Sequence, residues 1–135
     1  MPIYVPRLID ASSHYCTNGS CTIGPAPNSY PRAYQIHDQS GRAYDAYRLT
    51  LVKNPDLGQY YGVQGTTSMN PPLLKSPTQT RNVGGKQLEL FFNGHKLSVA
   101  AWRTSQAVYW ISNTLTDDLT NQQMIGMAAS LVRAG

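Results

Sequence analysis

The side chains able to perform acid–base, nucleophilic or metal chemistry are few and scattered along the chain. Three histidines are present, and no two of them have the spacing typical of metal ligands. Only seven residues are acidic, and Glu89 falls on the solvent face of a predicted strand, which disfavours hydrolysis by paired carboxylates. The sequence contains no phosphate-binding loop, dinucleotide-binding glycine motif or nucleophile elbow. It therefore predicts no catalytic residue, no metal site and no cofactor.

Two cysteines, Cys16 and Cys21, enclose a short turn in the segment CTNGSC. The intervening Thr-Asn-Gly-Ser favours a tight turn, so the two sulfur atoms can approach each other. A structural disulfide is the favoured prediction, and it would place the chain in an oxidising compartment. Two free thiols are an alternative, whereas a metal pair is disfavoured because no histidine–cysteine cluster completes a site. Catalysis by a Cys16–His14 pair is disfavoured because Cys21 is the better placed partner.

Amphipathic aromatic residues in the predicted strands offer a binding surface instead. Such rings can pack against sugar rings or an isoprenoid chain, while neighbouring arginine and asparagine side chains donate to phosphate. The same rings would equally serve as core between the sheet and a helix, and that alternative stays open. The candidate ligand-binding residues are Tyr60, Tyr61, Trp102, Arg103, Tyr109, Trp110 and Asn113.

The charge of the chain is positive but evenly spread. The net charge is +4, the isoelectric point is about 9.2, and charged residues make up only 13% of the chain. This balance permits anionic partners such as an acidic wall polymer or lipid phosphate. No basic run marks a nucleic-acid tail, and no apolar stretch approaches the roughly 20 residues of a membrane span. We therefore expect no nucleic-acid partner and no membrane span in this segment, and the oligomeric state is left open.

The pattern of elements predicts an α+β fold, with a curved antiparallel sheet packed against one C-terminal helix. A single domain is expected, with an extended coil and cysteine loop over residues 1–31 and antiparallel strands over residues 32–112. Residues 113–135 would then form a turn and a capping helix. Gly62 and Gly65 weaken one strand, which indicates a bulge or a close backbone approach. The proline-rich segment 68–80 is predicted to be a long loop.

The clearest hairpin signal is the Asn-Gly dipeptide at positions 93–94, between two apolar runs. A two-residue type I′ turn there requires positive φ at both central residues, which Asn and Gly tolerate. This turn would place Leu90 opposite Leu97 and Leu88 opposite Val99.

A return strand over residues 107–112 would lie beside the second strand of that hairpin. This arrangement would place Val108 opposite Ala101 and Trp110 opposite Val99. We expect the three strands to form the centre of the sheet.

The last predicted element is a helix from Thr120 to Arg133. Thr120 as N-cap and Gln123 three residues later form a capping box, and a hydrophobic staple flanks the cap. An apolar stripe with helical spacing would lie across the sheet. The stripe consists of Met124, Met127, Ala128 and Leu131.

Three longer segments have a recognisable pattern: GQYYGVQGTT followed by NPPLL, GKQLELFFNGHKLSVAAWRT, and VYWISNTLTDDLTNQQMIGMAASL. Together with YPRAYQI and YRLTLV, they make nearly the whole chain resemble the C-terminal accessory region of actinobacterial LytR-CpsA-Psr proteins. Members of that family are membrane-anchored and extracytoplasmic. Their catalytic domain transfers glycopolymers from polyprenyl-pyrophosphate carriers to peptidoglycan. Nothing in this chain resembles that catalytic domain, so the resemblance implies no transferase residue here.

The resemblance implies a non-catalytic, extracytoplasmic accessory domain associated with the attachment of cell-envelope glycopolymers. We expect it to be part of a longer membrane-anchored protein and to bind cell-wall polysaccharide, a polyprenyl-linked carrier or a protein partner. One alternative is a small stand-alone cell-wall hydrolase or transferase. Another is a structural domain that self-associates.

Overall fold

In the part of the chain that the structure describes, the fold is an antiparallel sheet crossed on one face by one α-helix. The computed structural model describes residues 2–7, 9, 14–15, 32–54, 57 and 59–133. The strands in these ranges are β1 (Tyr4–Pro6), β2 (His14–Tyr15), β3 (Arg32–His37), β4 (Ala43–Asn54), β5 (Gln59–Thr66), β6 (Gln79–Val83), β7 (Lys86–Asn93), β8 (Lys96–Arg103), β9 (Val108–Ser112) and β10 (Leu131–Arg133). The helix α1 spans Asn121–Ala129, and a 3-10 turn spans Pro72–Leu74.

Eight of these strands form one sheet, in the order β2–β4–β5–β9–β8–β7–β6, with β3 also pairing with β4. All of its pairings are antiparallel. Strands β1 and β10 form a separate two-stranded ribbon. The predicted α+β fold, an antiparallel sheet with one C-terminal helix, is therefore confirmed.

The two faces of the sheet bury different sets of side chains. We call the face that packs against α1 the helix face, and its buried residues include Leu49, Leu88, Leu90, Ala100 and Ile111 together with Met124, Met127 and Ala128 of the helix. We call the opposite face the loop face, where Val99, Ala101, Val108 and Trp110 pack with Leu74 from the connection between β5 and β6. Burying a large aliphatic side chain contributes about 1.5–3 kcal/mol, so both faces stabilise the sheet.

The helix begins as the sequence predicts but ends earlier. The Thr120 hydroxyl accepts from the Gln123 backbone N–H at 3.1 Å, and the Gln123 side chain accepts from the Thr120 N–H at 2.8 Å. The predicted capping box is thus confirmed. The predicted end at Arg133 is wrong, because α1 stops at Ala129 and residues 131–133 form β10. Strand β1 offers backbone partners there, and β-branched Val132 suits a strand.

The turn between β7 and β8 lies one residue later than predicted. Asn93 pairs with Lys96, so the two turn residues are Gly94 and His95. Gly94 has φ +65°, whereas His95 is not among the described residues with positive φ. The predicted type I′ turn at 93–94 is therefore wrong, because only one central residue has the left-handed conformation that it requires.

The strand registers shift accordingly. The observed pairs are Leu90 with Ala100, Leu88 with Trp102, Trp110 with Ala101 and Val108 with Arg103. All four predicted pairs are wrong. In the hairpin of β7 and β8, a bulge in β8 adds one more residue to the shift of the register. The total shift is therefore odd, so Val99 lies on the loop face whereas Leu88 lies on the helix face.

The segment predicted as a long loop also contains the start of an edge strand. Residues 68–80 include the 3-10 turn and the first two residues of β6. A two-glycine turn at 84–85, with φ of +58° and +85°, joins β6 to β7. Positive φ at both positions is the pattern of a type I′ hairpin, so this turn chemistry occurs one hairpin earlier than predicted.

The N-terminal segment contains strand as well as coil. Strand β1 is fixed to the sheet by two buried tyrosines: the Tyr47 hydroxyl donates to the Tyr4 carbonyl at 2.7 Å, and the Tyr109 hydroxyl donates to the Pro2 carbonyl at 2.7 Å. Cys16 and Cys21 lie outside the described residues, so their disulfide stays a prediction. No helix in the described ranges is long and apolar enough to cross a membrane.

Candidate functional site

The seven predicted binding residues do not share one surface. The strand registers place Tyr61, Trp102 and Tyr109 on the helix face. Tyr60, Arg103 and Trp110 lie on the loop face, and Asn113 follows the end of β9. The structure therefore divides the predicted aromatic surface between the two sides of the sheet.

Three of the predicted aromatic residues are core residues. The exposed fractions are 2% for Tyr61, 0% for Tyr109 and 6% for Trp110. These side chains contribute packing surface and present almost none to a ligand. Tyr60 is the exception among the tyrosines, with 38% of its surface exposed.

Arg103 connects the loop between β5 and β6 to the sheet. Its Nε atom pairs with Glu89 Oε2 at 2.6 Å, and its Nη1 atom donates to the carbonyl of Met69. The ion pair neutralises the guanidinium charge, and the carbonyl contact ties the connection between β5 and β6 to β8. This arrangement gives Arg103 a positioning role on the loop face.

Asn113 organises the connection between β9 and α1. Its amide nitrogen donates to the carbonyls of Leu97 at 2.9 Å and Leu119 at 3.0 Å. Its amide oxygen accepts from the N–H groups of Thr114 at 2.8 Å and Leu119 at 3.0 Å. One side chain thus satisfies several backbone groups and fixes the approach to the helix.

Trp102 lies in an aromatic cluster beside a lysine. Its ring meets Tyr4 edge-on with centroids 5.0 Å apart, and Tyr109 lies 5.8 Å away. The ammonium group of Lys86 stands 4.9 Å from the Trp102 ring centroid and donates to the carbonyl of Ala129 at 3.1 Å. Both contacts favour a cation, because the ring face and the C-terminus of a helix are electronegative.

Three arginines lie on or next to strands that border this cluster, and together with Lys86 they form what we call the basic end: Arg7, Arg81, Lys86 and Arg133. Arg81 stands opposite Leu88, which neighbours Trp102 in the adjacent strand. Arg133 stands opposite Tyr4, whose ring touches Trp102. The backbone N–H of Arg7 donates to the Ser130 carbonyl at 3.2 Å, one residue beyond Ala129.

The cations of the basic end have no carboxylate partners within the described ranges. Among the described residues, the single ion pair within 4.0 Å joins Arg103 to Glu89, and it lies on the loop face. The basic end is not visible in the sequence, because its members come from four separate strands or strand ends. Only the pairing of β1 with β10, and the packing of α1, brings them together.

No set of three or more histidine, cysteine, aspartate or glutamate residues among those described is arranged to hold a metal ion. The comparisons with known proteins found no family model, no curated protein and no solved structure that matches the chain. The likeness to LytR-CpsA-Psr proteins therefore stays an expectation that rests on the sequence segments alone.

Proposed function

We propose that this chain is a non-catalytic, extracytoplasmic binding domain that attaches to an anionic cell-wall polymer through its basic end. The observation that supports this proposal is the group of four cations on the strands and strand ends that border Trp102, none of which has a carboxylate partner among the described residues. Arginine guanidinium groups bind phosphate and carboxylate through paired hydrogen bonds, and lysine adds a point charge. The extracytoplasmic location is supported by the LytR-CpsA-Psr resemblance.

A polymer fits the basic end better than a single small anion. The cations lie on or next to different strands, so a ligand with repeated charges engages several of them at once and gains from multivalency. Of the large hydrophobic residues that are exposed in the described part of the chain, only Val132 belongs to the β1–β10 ribbon. A soluble polyanion therefore matches this surface better than the apolar interior of a bilayer.

The binding function is also supported against the alternative of a glycoside hydrolase. Such enzymes need two carboxyl groups roughly 5–9.5 Å apart. The basic end supplies cations, and the neighbouring cluster of Tyr4 and Trp102 supplies aromatic rings; both suit recognition of an anionic glycan better than acid–base cleavage.

A charge-matched pair of double variants tests the proposal. Arg81→Ala with Arg133→Ala removes two exposed cations from the basic end, whereas Arg48→Ala with Lys75→Ala removes two exposed cations elsewhere. Binding to purified phosphate-bearing wall polysaccharide is measured by sedimentation at low salt. We expect the first pair to weaken binding about tenfold or more, equivalent to about 1.4 kcal/mol, and the second pair to have a smaller effect.

Equal weakening by the two pairs would show that net charge, and not the basic end, determines binding. Absence of binding by the unaltered chain would contradict the polymer proposal itself. Retained binding to the protein fraction of the wall, after removal of the polysaccharide, would favour a protein partner instead.

A further inference from the structure

A cleft opens on the loop face, away from the basic end. Its volume is about 460 Å³, within the range typical of small-molecule sites. One wall is the turn between β3 and β4, and the other is the segment 68–72. The register of β4 places Tyr44 on the loop face, and Ile36 stands opposite it in β3.

Asp38 fixes the shape of the first wall. Its Oδ1 atom accepts from the Ser40 hydroxyl at 2.6 Å, the Ser40 N–H at 2.9 Å and the Arg42 N–H at 3.0 Å. Its Oδ2 atom accepts from the Tyr44 hydroxyl at 3.1 Å. These bonds, led by the Ser40 side chain, hold the pKa of Asp38 below its usual range, so the carboxylate is ionised and fixed at neutral pH.

Other polar groups in the cleft retain hydrogen-bonding capacity. The side chains of His37, Gln39, Ser68 and Asn70 line the cleft, and none of them has a hydrogen-bond partner among the described residues. Pro71 supplies an apolar surface to the second wall. A ring with polar edges and apolar faces would therefore find donors, acceptors and carbon surface in one place.

We propose that this cleft binds a neutral pyranose sugar. A pyranose presents hydroxyl groups around its rim and C–H groups on its faces, which matches the polar side chains and the Ile36, Tyr44 and Pro71 surfaces. The carboxylate of Asp38 offsets the guanidinium charge of Arg42, which stands 5.3 Å from the Tyr44 ring centroid, so the cleft offers a phosphate ligand no excess of positive charge. The hydrogen bonds of the turn already order the first wall of the cleft, so binding a sugar costs less conformational entropy.

Binding, rather than cleavage, fits the lining of the cleft. Asp38 is the one carboxylate among the described residues that line the cleft, and it already accepts four hydrogen bonds. Glycoside hydrolysis uses a second carboxyl group on the other side of the bond. The proposal does not depend on the basic end, because that surface lies around Trp102 on the helix face.

The inference is tested by nuclear magnetic resonance titration of the full chain with glucose, galactose and N-acetylglucosamine. We expect at least one sugar to shift the backbone amide signals of Ser40, Arg42 and Asn70 saturably, with a Kd of about 1 mM. Methyl phosphate serves as the anionic comparison and should leave these signals unchanged. Failure of every sugar to shift them, or a stronger response to methyl phosphate, would overturn the proposal.

A pair of asparagine variants locates the site. Asn70→Ala removes a side chain that lines the cleft, whereas Asn82→Ala removes an exposed asparagine on the edge strand β6. We expect Asn70→Ala to weaken sugar binding about tenfold and Asn82→Ala to leave it unchanged, with both spectra retaining the dispersion of the folded chain. Equal effects of the two variants would contradict the assignment of the cleft.

Discussion

Gly65 lies where two buried tyrosine rings converge on the helix face. A Cβ atom at this position would stand 2.7 Å from Tyr109 Cδ1 and would also clash with the Tyr47 ring. The sequence predicts either a bulge or a close backbone approach at the glycines of β5. The register through Gly65 is regular, so the structure confirms the close approach.

This contact predicts a large difference between two glycine variants. Gly65→Ala should destabilise the fold by about 1–3 kcal/mol, because a packed core must shift to admit the methyl group. Gly126→Ala is the control, since no atom of the described residues lies within 4 Å of its Cβ position and alanine favours a helix by about 0.5–1 kcal/mol over glycine. Urea unfolding measures both. Equal stability of the two variants would contradict the contact.

At the scale of elements, the β1–β10 ribbon depends on buried phenol groups. Burial raises the pKa of Tyr109 to about 12 from its ordinary value of 10.0, and it raises the pKa of Tyr47 even further. Both hydroxyls donate to backbone carbonyls of the N-terminal segment. Ionisation would remove these donors, so the neutral form is the one that fixes the ribbon to the sheet.

The raised pKa of Tyr109 predicts a loss of stability at alkaline pH. Between pH 10 and about 12 the unfolded state releases the phenol proton while the folded state retains it, so the free energy of unfolding falls as the pH rises. The expected slope is about 1.4 kcal/mol per pH unit for this group. Urea unfolding across this range measures the slope, and Tyr109→Phe should reduce it. An unchanged slope in that variant would contradict the assignment.

Local signals in the sequence predict the helix and strands themselves better than they predict which strands pair with each other. The capping box at Thr120 depends on neighbouring residues and occurs as predicted. The end of the helix differs from the prediction, because residues 131–133 pair with strand β1 from the other end of the chain. A bulge in β8 similarly alters a register that the apolar pattern alone leaves ambiguous.

The same distinction explains the candidate sites. Aromatic residues in strands are visible in the sequence, but alternation alone does not say which face a helix will cover, and Tyr61 and Tyr109 prove to be buried. The basic end requires the pairing of chain-distant strands. The cleft requires the segment 68–72 to stand beside the turn at Asp38, which no local pattern predicts.

At the scale of the whole molecule, the two proposed sites differ in their electrostatics. The basic end would bind through several cations, whereas the cleft would bind a neutral ring through hydrogen bonds and carbon surface. Because they lie on opposite faces of one sheet, a single domain has room to contact two parts of a polymer, or two polymers, together. Binding at the two sites should therefore differ in its dependence on salt concentration.

Salt concentration separates the two contacts. Raising the ionic strength from about 0.01 M to about 1 M shortens the Debye length from about 30 Å to about 3 Å, which screens exposed charges. We therefore expect binding of phosphate-bearing wall polysaccharide to fall at least tenfold over this range, while the Kd for the neutral sugar changes less than about twofold. Sedimentation and resonance titration on the same preparation measure the two responses. Polymer binding that is insensitive to salt would contradict the role of the basic end, and sugar binding that falls in parallel with it would contradict the neutral character of the cleft ligand.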